Sequence, residues 1–201
     1  MAAGTDLDGG DGSDDLDGGS GTDAVLYPGR ANPVNVTVGS GNDNDGGPED
    51  QTGGSRDTVR GDVEVVAGTV SNDVLIGDSS SETLIGGSGN DLIAGNRGGD
   101  TLLGLDGDDL ISGGDGRDTL RGAAGNDRLL GGPDVDRLAG GPNDDFLRGK
   151  KGSDVMNGKS GVDRINAKDG IRDSRISCGP GPNGAEGAKR DRRLDPRARS
   201  C

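Results

Sequence analysis

The chain has 201 residues, 43 of them Gly, with net charge −14, 27% apolar residues and two aromatics, Tyr27 and Phe146. With no His, the commonest general base and the usual zinc or copper ligand are excluded. Low hydrophobicity with high net charge would alone predict a disordered chain, because so sparse an apolar set cannot offset an ordering cost of roughly 1–2 kcal/mol per residue. Order requires a stabilising ligand.

From the N-terminus, Asp6-Leu7-Asp8 reads as the tail of a repeat unit. Two nine-residue units follow, Gly9 to Asp17 and Gly18 to Leu26, with Asp14 and Asp23 at equivalent places. We read residues 1–27 as one segment. From Asp23 to Asp73 is fifty residues, not a multiple of nine, so residues 28–70 are an insertion. Within it, Pro33 to Val38 and Val63 to Val66 alternate like strands. The Gly/Asn/Asp-rich stretch between them carries Asp43, Asp45, Glu49 and Asp50, either a further cation site or a solvated loop. We expect this segment to continue the solenoid as a wider coil.

Residues 71–168 form the main run. An acid recurs every nine residues, eleven times: Asp73, Glu82, Asp91, Asp100, Asp109, Asp118, Asp127, Asp136, Asp145, Asp154 and Asp163. Two places later sits an aliphatic residue or Met, from Leu75 to Ile165, and four places later a Gly, lost only at Ala167. Compositional disorder would not keep three residue classes in phase for so long. A strict short period signals a solenoid. In Gly113-Gly114-Asp115-Gly116-Arg117-Asp118-Thr119-Leu120-Arg121 the first six residues read as a turn and the last three as a minimal strand. Two units then make one coil of about 18 residues, with coils stacked about 4.8 Å apart. The predicted fold is all-β, a parallel β-roll solenoid.

Stacking places alternate acids in two columns, one from Asp73 to Asp163 and one from Glu82 to Asp154. Neighbouring carboxylates repel by roughly 1 kcal/mol even in water, and a divalent ion between them reverses that sign. The donors are carboxylate oxygens and turn carbonyls. An all-oxygen, flexible donor set suits calcium better than magnesium. The candidate ligands are the Asp residues named above with Asp14 and Asp23. Backbone carbonyls would come from Gly86, Gly87, Gly89, Gly104, Gly107, Gly113, Gly114, Gly116, Gly131 and Gly132.

These units resemble the RTX (hemolysin-type) family, whose repeat is G-G-x-G-x-D-x-U-x with U a large aliphatic. Close matches are Gly86-Gly87-Ser88-Gly89-Asn90-Asp91-Leu92-Ile93-Ala94 and the unit from Gly113. The resemblance covers about residues 69–168 and again 9–26. It implies calcium held between turns of a β-roll. Tyr27-Pro28-Gly29-Arg30, Pro33 to Val36 and Asp62 to Gly68 look like the lead-in found before RTX runs in secreted bacterial proteins. Departures grade the sites: Glu82 has a longer arm, Ser80 replaces a turn Gly, and Lys150, Lys151, Lys159 and Lys168 enter the last turns. We expect reliable sites between Asp91 and Asp145, weaker ones at Asp154 and Asp163, and about five to seven calcium ions in all.

After Ile165 the register fails by one added residue, and residues 169–201 are expected to form a C-terminal cap. A disulfide between Cys178 and Cys201 would stabilise it by about 3 kcal/mol; two free thiols are the alternative. The basic stretch Lys189 to Arg193 lacks an aromatic stacking platform, so no nucleic-acid role is expected. There is no transmembrane stretch, and Met1 to Thr5 lacks the regions of a signal peptide. If the protein is secreted, its export signal is expected to lie outside this chain, or the chain is a fragment.

On the outer surface, Val74, Ile76, Leu92, Ala94 and Leu110 form an apolar strip followed by Arg128, Arg148 and Arg164. Thr83, Thr101 and Thr119 form a ladder opposite. The strip is a candidate docking face for an upstream catalytic or adhesive domain, for another protein or for a second copy of the chain. The reading is a secreted, non-enzymatic calcium-binding module whose folding depends on calcium. The alternative is an accessory or secretion-folding module of a larger secreted hydrolase, toxin or adhesin. Ice binding through three Thr is a weaker third.

Overall fold

The structure, a computed structural model, describes residues 4, 6–8, 14–27, 30–39, 58–167, 173, 175–177, 179, 189–190 and 199–200. Among these there is no helix. Nine strands form one parallel sheet: β1 (Asp6–Asp8), β3 (Ala24–Leu26), β6 (Val65–Ala67), β8 (Thr83–Ser88), β10 (Thr101–Asp106), β12 (Thr119–Ala124), β14 (Arg137–Pro142), β16 (Val155–Ser160) and β18 (Arg175–Ser177). Seven form the opposite sheet: β4 (Asn35–Thr37), β7 (Val74–Ile76), β9 (Leu92–Arg97), β11 (Leu110–Asp115), β13 (Arg128–Gly132), β15 (Phe146–Lys150) and β17 (Arg164–Asn166). The chain alternates between sheets, and in the main run each strand pairs with the strand eighteen residues on, as Thr101 with Thr119 and Leu110 with Arg128. The molecule is the expected parallel β-solenoid.

The strands run longer than the three residues expected. Most in the main run have five or six, because pairing continues past the Gly into the turn, as Leu105 with Gly87 and Ala123. In most units the bend is made inside the ladder, by a left-handed residue at the second place of the unit. In five units that residue is not Gly and its φ is still positive: 69° at Asn96, 85° at Leu105, 83° at Ala123, 70° at Lys150 and 77° at Lys159. Isolated turns avoid this conformation for side chains such as Leu. Here pairing with a neighbouring coil holds it, on both sides at Leu105.

Each unit turns three residues inward: the acid, the aliphatic residue and the Gly, as Glu82, Leu84 and Gly86. The aliphatics form one continuous column pair in which Leu84, Ile93, Leu102, Ile111, Leu120, Leu129 and Leu147 have no exposed surface. We expect Leu120→Ala to destabilise the calcium-loaded protein by about 2–5 kcal/mol, read by chemical denaturation, since the rigid coils cannot close the cavity.

Before the main run the coil widens. Strand β3 pairs with β6 and β4 with β7, registering Ala24 with Val65 and Asn35 with Val74. Strand β2 (Asp15–Leu16) pairs with β5 (Thr58–Val59), and Arg60 ties this junction to Asp15 and Asp17. At the far end β18 pairs with β16, and Lys189–Arg190 pairs antiparallel with Arg199–Ser200. The acids Asp43, Asp45, Glu49 and Asp50, residue Lys168, and both Cys178 and Cys201 lie outside the described residues.

Candidate metal centre

The acids stand where the strands leave the turns, in two buried rows. In one row each carboxylate accepts, through Oδ1, the backbone N–H of the acid one coil earlier. Asp73 donates to Asp91 at 2.7 Å, Asp91 to Asp109 at 2.8 Å, Asp109 to Asp127 at 3.0 Å, Asp127 to Asp145 at 2.9 Å and Asp145 to Asp163 at 3.0 Å. The second row does the same from Glu82 through Asp100, Asp118 and Asp136 to Asp154. It then continues to Asp173, which accepts from Asp154 at 3.1 Å across a 19-residue step.

The other oxygen of each carboxylate is the telling one. In Asp91, Asp100, Asp109, Asp118, Asp127, Asp136, Asp145 and Asp163, Oδ2 is buried with no hydrogen-bond partner, as are both carboxylate oxygens of Glu82. It lies over the first Gly of its own unit: a Cβ on Gly86, Gly104, Gly113 or Gly131 would collide with Oδ2 of Asp91, Asp109, Asp118 or Asp136. Carbonyl oxygens share the space, that of Gly122 standing 2.9 Å from the same point at Gly104. At the second place, a Cβ on Gly87, Gly114 or Gly132 would strike the carbonyl of Thr69, Asn96 or Gly114 one coil back. At the fourth place, Gly89, Gly107 and Gly116 approach the backbone of Ser71, Gly89 and Gly98 in the same way. At the first place glycine is thus required because oxygen atoms occupy the volume, whereas the second and fourth places also take non-Gly residues with positive φ, such as Leu105 and Asp134.

A buried, unpartnered carboxylate oxygen is costly unless a proton or a cation satisfies it. The protons are held tightly. Burial is the main cause, partly offset by the N–H bond from the neighbouring coil and increased by adjacent carboxylates. It pushes Asp91, Asp136 and Asp145 up to about 7 and Asp100 and Asp109 to about 6. Asp118, Asp127 and Asp163 shift upward for the same reason. Glu82 rises furthest, to about 8, through burial and then the carboxyl of Asp78. No three acidic side chains converge among the described residues. An ion here would therefore draw carboxylates from one or two residues and complete its shell with turn carbonyls. These hard oxygen donors fit calcium.

The residues named from sequence are not equivalent. Asp73 is buried, but Thr69 donates its N–H and its hydroxyl to Oδ2, and the Val34 N–H reaches Oδ1 at 2.7 Å. That carboxylate is already satisfied. Asp23 is buried and its N–H donates to Glu64 at 2.8 Å, whereas Asp14 is only half-buried. Asp154 holds the same row position as Asp136. Two acids were missed. Glu64 lies nine residues before Asp73, followed by Val66 and Gly68 at the usual offsets, so the period reaches one unit further back. Asp173 was hidden by the one-residue slip.

A second period was also missed. Asn72, Asn90, Asp108, Asn126 and Asp144 recur every eighteen residues at the fifth place of the unit. Their side-chain oxygens accept the N–H of the next coil, from Asn90 at 2.7 Å, Asp108 at 2.8 Å, Asn126 at 2.7 Å, Asp144 at 3.1 Å and Val162 at 2.8 Å. The opposite edge has Ser81, Gly99, Arg117, Val135 and Ser153 there, with one such bond described, Gly99 N–H to Ser81 at 3.0 Å.

Coils of eighteen residues, joined by rows of inward carboxylates beside turn carbonyls, define a calcium-binding β-roll. The RTX calcium-binding nonapeptide repeat matches in four copies, over residues 6–25, 60–93, 94–129 and 130–165, more than half of the chain. The chain belongs to that family. No curated protein matches it.

Proposed function

We propose that this chain is a secreted, non-catalytic RTX module whose folding is driven by calcium, with about five to seven ions bound between its coils. The rows of buried, unpartnered Oδ2 atoms carry this reading. Removing the ion leaves like charges facing one another in a core too thin to hold them. Sites from Asp91 to Asp145 are the strongest. Asp73 is the weakest candidate in its row because Thr69 already serves it, and lysines beside Asp154 and Asp163 compete with the ion. Asp14 and Asp23 would serve the N-terminal segment, residues 1–27. Residues 28–70 act as a wide coil leading into the roll at 71–168, and 169–201 act as a cap, closed by a Cys178–Cys201 disulfide.

Because extracellular calcium far exceeds cytosolic calcium, such a chain would fold outside the cell. Circular dichroism during calcium titration of the metal-free protein at pH 8 is the test. Strand content should rise cooperatively into the millimolar range, and a spectrum indifferent to calcium would refute the proposal. The same properties would serve an accessory module of a larger secreted hydrolase, toxin or adhesin, docked through the Val74, Leu92 and Leu110 face.

A further inference from the structure

Charge is segregated along this molecule. Residues 1–118 hold 24 acidic and five basic residues, net −19, while residues 119–201 hold 12 and 17, net +5. The outer face of the seven-stranded sheet divides at the same point. One outward file reads Asn35, Val74, Leu92, Leu110, Arg128, Phe146, Arg164, one residue per coil. The adjacent file ends in Leu130, Arg148 and Asn166. Neither file contains an acid. Leu92 and Leu110 are 41% and 38% exposed, and the three arginines are exposed without an ion pair among the described residues. Arg128 lies over the Phe146 ring, 4.6 Å from its centroid, so its guanidinium is held in place.

We infer that this face is the interface of an antiparallel dimer with a two-fold axis at Leu92. An isologous contact must complement itself. An axis there sets Leu92 on Leu92 and Val74 on Leu110, apolar against apolar, and Arg128 against Asn35. Beyond Asn35 the same side of the roll continues through Val59, whose carbonyl accepts the Gly39 N–H, to β2. There Asp15 and Asp17 are exposed, with Arg60 their only described counter-charge. The arginine half of each copy thus meets the acidic end of the other, twice per dimer. A parallel arrangement would stack arginine on arginine.

The dimer rests on the roll being folded with calcium, so association is read beside circular dichroism, which reports folding separately. In millimolar calcium, sedimentation velocity over a dilution series should show a monomer–dimer equilibrium that weakens with added salt. Arg128→Glu with Arg148→Glu should raise the dissociation constant about tenfold or more without altering the spectrum. Under mild oxidation Leu92→Cys should crosslink to itself, mapped by peptide mass spectrometry as position 92 to position 92. Val74→Cys with Leu110→Cys serves as a second pair, and Leu103→Cys on the opposite sheet should stay uncrosslinked. A folded protein that remains monomeric throughout, or crosslinks equally through positions 92 and 103, would overturn the assignment.

Discussion

Without calcium, the protein is expected to gain structure on acidification and to lose it as pH rises from about 5 to 8. The carboxyls of Asp91, Asp136 and Asp145 titrate near 7 in the fold and Glu82 near 8, against ordinary values of 3.8 and 4.5. Over that interval the folded state binds more protons than the unfolded one, so stability falls with rising pH. Each such carboxyl contributes at most about 1.4 kcal/mol of that loss for every pH step between its unfolded and folded values. The contribution is complete below the unfolded values and gone above about 8, reached by Glu82. Calcium inverts the trend: it competes with these protons, so its binding should release them and its titration midpoint should fall as pH rises. Circular dichroism in metal-stripped buffer from pH 4 to 8, repeated with calcium, reads both. A metal-free protein more ordered at pH 8 than at pH 5 would contradict the buried-carboxylate account.

The second large effect is expected at glycine. Gly113→Ala should prevent or severely weaken folding, although alanine is favoured over glycine by conformational entropy alone. The added Cβ falls on Oδ2 of Asp118 and crowds the Cγ and Cβ of the same buried side chain. Overpacking a rigid interior ordinarily costs about 1–3 kcal/mol, and here it also displaces the oxygen offered to the ion. Gly19→Ala is the control, since nothing lies within 4 Å of its Cβ position, although its φ of 79° carries some strain of its own. Calcium titrations of the two variants compare them directly. Equal midpoints would mean that the first Gly serves chain flexibility rather than space for the carboxylate.

Much of the site was legible because three inward residues recur in phase. The acid, the aliphatic and the Gly each answer to one physical demand, so their spacing carried the coil length, both rows and the choice of ligand. What escaped did so for definable reasons. A nine-residue period averages the two edges of the roll, and the Asn/Asp ladder occupies only one of them, at eighteen. Asp173 was lost because backbone pairing absorbs an added residue that pattern counting cannot. Asp73 looked like its neighbours until Thr69, brought over it by the turn, satisfied its second oxygen.

Repetition in the chain by itself determined the all-β solenoid and its carboxylate rows, because any sequence with that phase must stack like on like. Only the tertiary structure decided what each carboxylate does with its two oxygens, since that depends on groups eighteen residues away. One oxygen ties coil to coil through an N–H. From Asp91 to Asp145 the other is left buried above a glycine, where a proton or a calcium ion must satisfy it.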